Sequence, residues 1–281
     1  MPLTDKQFDQ VITLLHQVSD KIIRPYFKRL SSKEIREKNP GDFVTVADEK
    51  SEIFLTENLK KILPNSLVVG EEACENDPSI LNLLEGEHEA VWVIDPVDGT
   101  YNFAHGRSHF GILLSLVEKG QTTYGWLYDV PGERVAYAIK GEGAYLRCPA
   151  KEQYETRLLF FHQPPALSEM IGQVGGGQAW HFGSQLNNAV KELRNTRCSL
   201  HDFLKFGLGE ADFVYHKQTK PWDHTAPVLF IEECGGYTAN LSNREKYNPT
   251  FFGQIPILST MNKENWDEIS NIILSQKEKV A

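Results

Sequence analysis

The 281-residue sequence predicts an α/β protein (α+β layered) in which helices alternate with mostly antiparallel or mixed sheets. Three observations carry this expectation. Apolar residues recur at three- and four-residue spacing near both ends of the chain. Two short runs rich in Val, LVVG at 67–70 and VWVI at 91–94, end directly in carboxylates and read as buried strands with acidic tips. Between His109 and Ile139 the runs FGILLSLV, TTYGWLYDV and RVAYAI are separated by EKGQ and PGE, the pattern of an antiparallel meander. No repeat or linker interrupts the chain, so two layered halves sharing a cleft are expected, residues 1–150 and residues 151–281.

In chain order, Phe8, Val11, Ile12, Leu15, Val18 and Ile22 define an amphipathic helix that Thr4 and Gln7 can cap as a box and Pro25 kinks or ends. The stretch SSKEIREKNPGDF reads as a loop with turn signals at Asn39, Pro40 and Gly41. Thr45 and Asp48 then cap a second helix carrying Ile53, Phe54, Leu55, Leu59 and Ile62, which Pro64 stops. After the meander, RLLFF at 157–161 reads as a strand, PPALSEMIG as a short helix or loop, and GGG at 175–177 as a turn. Helical patterns return over Gln185–Leu193 and Leu200–Leu208, and again over a helix that runs to Gly235 and Gly236. Pro227 is expected in the first turn of that last helix, with Asp223 just before it. PILST at 256–260 and the segment Glu264–Leu274 supply a closing strand and helix.

Composition excludes several classes. The 38 acidic against 29 basic residues give a net charge of −9, which argues against a nucleic-acid surface. The four cysteines lie far apart without a C-x-x-C pair, so neither a zinc knuckle nor a secreted disulfide framework is expected, and a reducing cytoplasm is the default. The N-terminal stretch carries charges throughout and does not read as a signal peptide, and no apolar run approaches the length of a membrane span.

The densest chemistry lies in WVIDPVDGTYNF at 92–103. Asp95 and Asp98, followed by Gly99 and Thr100, place two carboxylates and fresh backbone N–H groups at one corner, a combination able to hold hard divalent cations and a phosphate together. Two further acidic sites stand at element ends: Glu71 and Glu72 after LVVG, and Asp223 in KPWDHTAP. Each alone has a plain structural reading, as a turn, a solvated surface pair or a helix N-cap. The alternatives fit less well. His105 and His109 share helical spacing but no H-E-x-x-H surrounds them, Asp95–Gly99 lacks the further ligands of a calcium loop, Ser115 and Ser184 sit in no nucleophile elbow, and GGG lacks the Lys-Ser/Thr of a P-loop.

Taken together and in order, GEE at 70–72, WVIDPVDGTYNF at 92–103 and WDHTAP running to ECGG at 222–236 resemble the inositol monophosphatase family, the magnesium-dependent, lithium-sensitive sugar phosphatases. GDFVTVAD at 41–48 is similar to that family's earlier D-x-V-T-x-x-D segment. The resemblance implies a sugar-phosphatase fold, a homodimer, and hydrolysis of a small phosphomonoester by in-line attack of water. It further implies that Glu71, Asp95 and the carbonyl of Val97 bind one magnesium, that Asp95, Asp98 and Asp223 bind a second, and that Glu71 with waters supports a third. Thr100, aligned by Asp48 and Glu71, would position and activate the attacking water, while Asp98, Gly99 and Thr100 would contact the substrate.

The substrate side departs from the family pattern. His216 stands where the resemblance leads one to expect a Glu that contacts a substrate hydroxyl, and RNTRCS at 194–199 puts Arg197 and Cys198 where glycine and a hydroxyl residue are usual. An arginine there can bind a second phosphate or a carboxylate, or simply face solvent. Thr225 replaces a small residue two positions after Asp223. Fructose 1,6-bisphosphate, histidinol phosphate and 3′-phosphoadenosine 5′-phosphate therefore stand beside inositol phosphate as candidate substrates. A non-catalytic member holding a phosphorylated ligand or a protein partner is the reading from another class, against which all four metal carboxylates are present.

Overall fold

The computed structural model describes residues 3–86, 88–148, 154–159, 163–175 and 184–277. The chain opens with α1 (Asp5–Val18), whose N-terminus carries the expected Thr4–Gln7 capping box. A π-helical turn over Ser19–Ile23 leads into one further turn, α2 (Arg24–Tyr26), in which Pro25 takes an early position.

The stretch expected to be a loop instead forms a hairpin, β1 (Ile35–Asn39) and β2 (Asp42–Thr45), turning through Pro40 and Gly41. Its first strand reads IREKN and buries little, so no alternation marks it. Backbone pairing and the docking of Phe43 edge-on to Tyr101 hold it in place. Thr45 and Asp48 cap α3 (Val46–Ile62), as expected.

β3 (Leu67–Gly70) runs into α4 (Glu71–Asn76), and β4 (Val91–Asp98) into α5 (Thr100–Ala104). The meander follows as β5 (Gly111–Glu118), β6 (Gln121–Asp129), β7 (Arg134–Ile139), β8 (Gly143–Cys148) and β9 (Tyr154–Leu158). These strands form one seven-stranded sheet in sequence order, parallel between β3 and β4 and antiparallel thereafter. The expected RLLFF strand therefore starts earlier and ends at Leu158, and Phe160 and Phe161 lie outside the described residues.

The remaining elements are β10 (Ile171–Gly175), α6 (Ser184–Ala189), β11 (Glu192–Arg194), α7 (Ser199–Gly207), β12 (Phe213–His216), α8 (Pro221–Glu233), β13 (Tyr237–Asn240), β14 (Ile257–Thr260) and α9 (Lys263–Lys277). Their strands make a mixed five-stranded sheet of order β11-β10-β12-β14-β13. Three expectations change here. PPALSEMIG holds a short 3-10 helix at Leu167–Glu169 as expected, but its last two residues, Ile171 and Gly172, begin β10; the helix expected to reach Leu193 stops at Ala189 because Leu193 pairs with Gly172 in β11; and of the GGG turn only Gly175, which ends β10, is described.

Strand alternation sorts the core into layers. Trp92, Ile94, Leu114, Trp126 and Tyr137 meet Val11, Leu15, Leu55 and Leu59 of α1 and α3 on one face of the large sheet. Leu113, Leu127, Ala136 and Ala138 point to the other face, against Phe203 and Phe206 of α7 and Val228 and Phe230 of α8. Val214 closes this layer from the small sheet, whose far face packs Phe213, Tyr215 and Leu258 on Trp266 and Ile269 of α9. The order is thus helices, large sheet, helices, small sheet, helices. No helix among the described residues is long and apolar enough to cross a membrane.

α8 lies between the two sheets and is buried almost all round, which is why its apolar residues show no single stripe. It begins at Pro221, so Asp223 lies inside its first turn rather than before it, and Pro227 sits in the helix interior rather than in the first turn. Pro227 has no N–H to give the carbonyl of Asp223, four residues back. The Ser199 hydroxyl donates to that carbonyl at 2.6 Å and fills the gap.

Candidate active site

β4 does not turn at Asp95 but continues to Asp98. On a regular strand, residues three apart point to opposite faces. Here the register slips: Asp95 pairs with Leu113 and Asp98 with Gly111, so three steps on β4 match two on β5. The extra residue is a bulge, and it returns both carboxylates to the face that α8 covers. Asp223 comes down from α8 onto the same spot, and oxygens of Asp95, Asp98 and Asp223 lie within 4.8 Å of one another.

Each carboxylate is positioned by local structure. Gly99 after the bulge has φ +84°, a conformation L side chains rarely adopt, and a Cβ there would also lie 2.6 Å from the His109 carbonyl. Asp98 accepts the N–H groups of Ser199 at 3.1 Å and Leu200 at 2.5 Å, and the Cys198 thiol donates to it at 3.0 Å, so it also caps α7. Asp95 accepts the Val97 N–H at 3.1 Å. Glu71 starts α4 beside Gly70, whose missing Cβ leaves room for the Glu52 carboxylate 2.4 Å from where that atom would be. Glu52 in turn accepts the N–H groups of Glu72 and Ala73 at 2.8 and 2.9 Å.

Thr100 places its hydroxyl 2.9 Å from Asp48 Oδ1 and 2.9 Å from the Val97 carbonyl. Having one proton, it donates to one of the two at a time. Asp48 is fixed from the other side by the Thr45 N–H and hydroxyl at 2.9 and 2.5 Å.

The electrostatics follow from burying like charges. Burial, with Asp223 opposite, pushes the Asp98 carboxyl up to about 7. Burial, then Glu71 and its two aspartate neighbours, holds Asp95 well above the usual carboxylate range. Burial raises Asp48 to about 7 against the pull of its threonine hydrogen bonds, and burial with Glu71 raises Glu72 to about 8. Asp223 is raised by burial despite the nearby Lys220.

Two lysines, which the motif pattern gave no reason to select, flank this acid. Lys38 of β1 lies 3.6 Å and Lys220 lies 3.5 Å from Glu71, and Lys38 also reaches Glu72 at 3.1 Å. Burial lowers a lysine, but the surrounding carboxylates outweigh it and hold both above the ordinary range.

The cluster opens into a cleft in two adjoining compartments of about 320 and 280 Å³. Glu71, Asp95, Gly99, Thr100 and Tyr101 line the first; His216, Gln218 and Lys220 line the second; Asp98, Arg197 and Asp223 border both. The Val97 carbonyl and Asp48 stand behind Thr100. His216 is buried with both ring nitrogens engaged, Nδ1 with His224 Nε2 at 2.8 Å and Nε2 with Asp202 Oδ2 at 3.3 Å. Arg197 is exposed, its guanidinium 4.2 Å from the Tyr101 ring centre.

The layered fold and a carboxylate cleft at the meeting of its sheets and central helix define a class that the comparisons identify. The sequence matches the inositol monophosphatase family model over residues 5–271, and the chain belongs to that family. The Inositol-1-monophosphatase of Bacillus subtilis (strain 168) is 30% identical over 207 residues, 70% of this chain and 72% of that protein. The Nus factor SuhB of Escherichia coli (strain K12) is 27% identical over 253 residues, 85% of this chain and 88% of that protein. In fold, the Thermotoga maritima IMPase superposes with a TM-score of 0.81 over 98% of this chain and 100% of that one, at 22% identity.

Proposed function

We propose that this chain is a magnesium-dependent phosphomonoester hydrolase acting on a small phosphorylated polyol, sugar or related metabolite. The observation that carries the reading is the convergence of Asp95, Asp98 and Asp223 within 4.8 Å, beside a Thr100 hydroxyl backed by a buried carboxylate. The donor set fits the ion. Every group in the cluster offers carboxylate oxygen, which suits a hard divalent cation, and the raised affinity of these acids for protons marks a site short of positive charge.

Glu71, Asp95, the Val97 carbonyl, Asp98 and Asp223 would hold two ions, with a third where Glu71 takes part. Bound there, magnesium neutralises charge on the phosphate and the leaving oxygen and makes water more acidic. The protein's own part is positional. With its proton given to Asp48, the Thr100 oxygen turns its lone pairs to the cleft and accepts a hydrogen from the attacking water, fixing that oxygen in line with phosphorus and the ester oxygen. The new P–O bond forms from water as the P–O ester bond breaks; one proton of the water stays on the phosphate, the other passes to solvent, the alkoxide takes one proton back from solvent, and the products are alcohol and inorganic phosphate. The reading includes a homodimer, an expectation carried by family membership, and a cytoplasmic setting, an expectation carried by the widely spaced cysteines.

The test is turnover of an aryl phosphate with and without magnesium in the wild type and in Asp95→Asn. Asp95 is chosen over Asp98 because Asp98 also caps α7. The variant should fold and lose roughly 1000-fold or more in kcat, of the order seen when a group essential to transition-state charge stabilisation is removed. A near-normal rate, or a wild type indifferent to magnesium, overturns the proposal in favour of a non-catalytic binder.

A further inference from the structure

Among the described residues, Arg197 is the one cationic group bordering both compartments, and it is committed to no ion pair. Asp98 and Asp223 belong to the acidic cluster, and Lys220 is drawn to Glu71 at 3.5 Å. The Arg197 guanidinium, by contrast, makes no ion pair among the described residues and lies over Tyr101 with its centre 4.2 Å from the ring centroid. Stacking of this kind fixes the plane of the guanidinium while leaving its edge N–H groups free to donate.

The backbone beneath it is built to hold that pose. Arg197 has φ +56°, uncommon for a residue with a side chain. Its N–H donates to Asn195 Oδ1 at 2.7 Å, and the buried Asn102 amide nitrogen, with two hydrogens to give, lies 2.8 Å from the Thr196 and His109 carbonyls and 3.2 Å from that of Arg197. The Thr196 hydroxyl stands 2.7 Å from Asp202 Oδ1, anchoring the segment from below.

Among the described residues, the compartment beyond Arg197 offers no free carboxylate besides Asp98 and Asp223 of the cluster. Its remaining acid, Asp202, is buried, with Oδ1 beside Thr196 and Oδ2 beside His216. The wall at that point is therefore imidazole and amide rather than free carboxylate. In a chain with a net charge of −9, an oriented and unpaired arginine at the mouth of the cleft leaves one charge type to be supplied by the ligand.

We propose that Arg197 is a specificity-determining residue, and that the substrate class is phosphomonoesters carrying a second anionic group, phosphate or carboxylate, on the side away from the metal carboxylates. This rests on the hydrolase reading above, and the experiment separates the two. Hydrolysis in magnesium is measured for two matched pairs, 2-phosphoglycerate against glycerol 2-phosphate and fructose 1,6-bisphosphate against fructose 1-phosphate. The first pair isolates a carboxylate and the second a phosphate. In wild type at least one pair should favour the doubly anionic ester by about 10- to 100-fold in kcat/KM, expressed in KM, the size of a charged hydrogen-bonded contact. Arg197→Met, which keeps a flexible apolar chain on Tyr101, should bring that ratio to about one. Arg107→Met, which removes the other arginine over the same ring, should keep it. No preference in either pair, or a preference that survives Arg197→Met, overturns the assignment. Failure to release phosphate from any ester, the aryl phosphate included, refutes the hydrolase reading instead. Calorimetric titration of the same pairs then decides the subsite: tighter binding of the doubly anionic ligand that Arg197→Met abolishes supports it, and equal affinities overturn it.

Discussion

The contact between Ser199 and α8 can be tested as a coupled pair. Pro227 deprives the Asp223 carbonyl of its helical N–H donor, and the Ser199 hydroxyl, 2.6 Å away, replaces it. Ser199→Ala removes the replacement and leaves a carbonyl in a poorly solvated helix without that donor. Such a loss costs about 1–3 kcal/mol, or roughly 2–10 °C in melting temperature for a chain of this size. Pro227→Ala restores a backbone N–H within reach of the same carbonyl, so in its background Ser199→Ala should cost much less. The expected coupling is about 1 kcal/mol or more, measured by chemical denaturation of the wild type, both single variants and the double variant. Additivity within about 0.5 kcal/mol would mean that the hydroxyl does not stand in for the missing donor. The carbonyl belongs to a cluster residue, so Ser199→Ala should also raise the magnesium concentration needed for half-maximal activity.

Three further outcomes are expected. Thr100→Val keeps the shape but removes the hydroxyl shared by Asp48 and the Val97 carbonyl, and should lower kcat about 100-fold or more with little change in thermal stability, read by steady-state assay and melting. In the metal-free protein, Asp48 and Asp98 near 7 and Glu72 near 8 retain protons that the unfolded chain has lost. Stability should therefore fall as pH rises from about 4.5 to 8, between the unfolded and folded values of these carboxyls. Between about 4 and 6.5 the buried His201, lowered to about 4, acts in the opposite sense and offsets part of that fall. Magnesium should remove most of this decline in calorimetric scans; a flat metal-free profile across the window would contradict the buried charge cluster. Gly70→Ala places a methyl about 2.4 Å from the Glu52 carboxyl carbon, and should loosen α4 and weaken magnesium dependence together, whereas a shift in neither argues that Glu52 moves aside freely.

The parts legible in the sequence were those whose signal is local. Capping boxes at Thr4 and Thr45 and the alternation of β5, β6 and β7 announce themselves within a few residues. Asp95, Asp98 and Asp223 were selected by motif, and their convergence depends on a bulge and a helix that motif spacing does not describe. The β1–β2 hairpin escaped notice because charged residues fill its first strand, and with it went Lys38, whose only sequence signature is one more lysine in a charged stretch. Pro227 misled for a related reason: proline is costly inside an isolated helix, but a hydroxyl from a segment 28 positions earlier in the chain (227 − 199) compensates, and that compensation is tertiary.

The same geometry explains why the acidic cluster sits where the layers meet. Three carboxylates crowded together, two of them buried, destabilise a metal-free fold, so each needs an anchor that does not depend on the ion. Asp98 has the N-terminus of α7, Asp95 has the bulge N–H of Val97, and Asp223 has the first turn of α8 with Lys220 beside it. The three anchors lie on a strand of the large sheet and on the two helices of the central layer. Separating those helices from the sheet would therefore dismantle the cluster, and a cation that bridges the oxygens ties the layers to one another. Magnesium affinity and the cohesion of the central layer are on this argument one quantity, so a core substitution within that layer, such as Phe203→Leu, whose ring lies edge-on to His224 of α8 and His216 of β12, should weaken metal binding although it touches no carboxylate. Unchanged magnesium affinity in a Phe203→Leu protein with lowered melting temperature would show that the carboxylates are held by their local anchors alone.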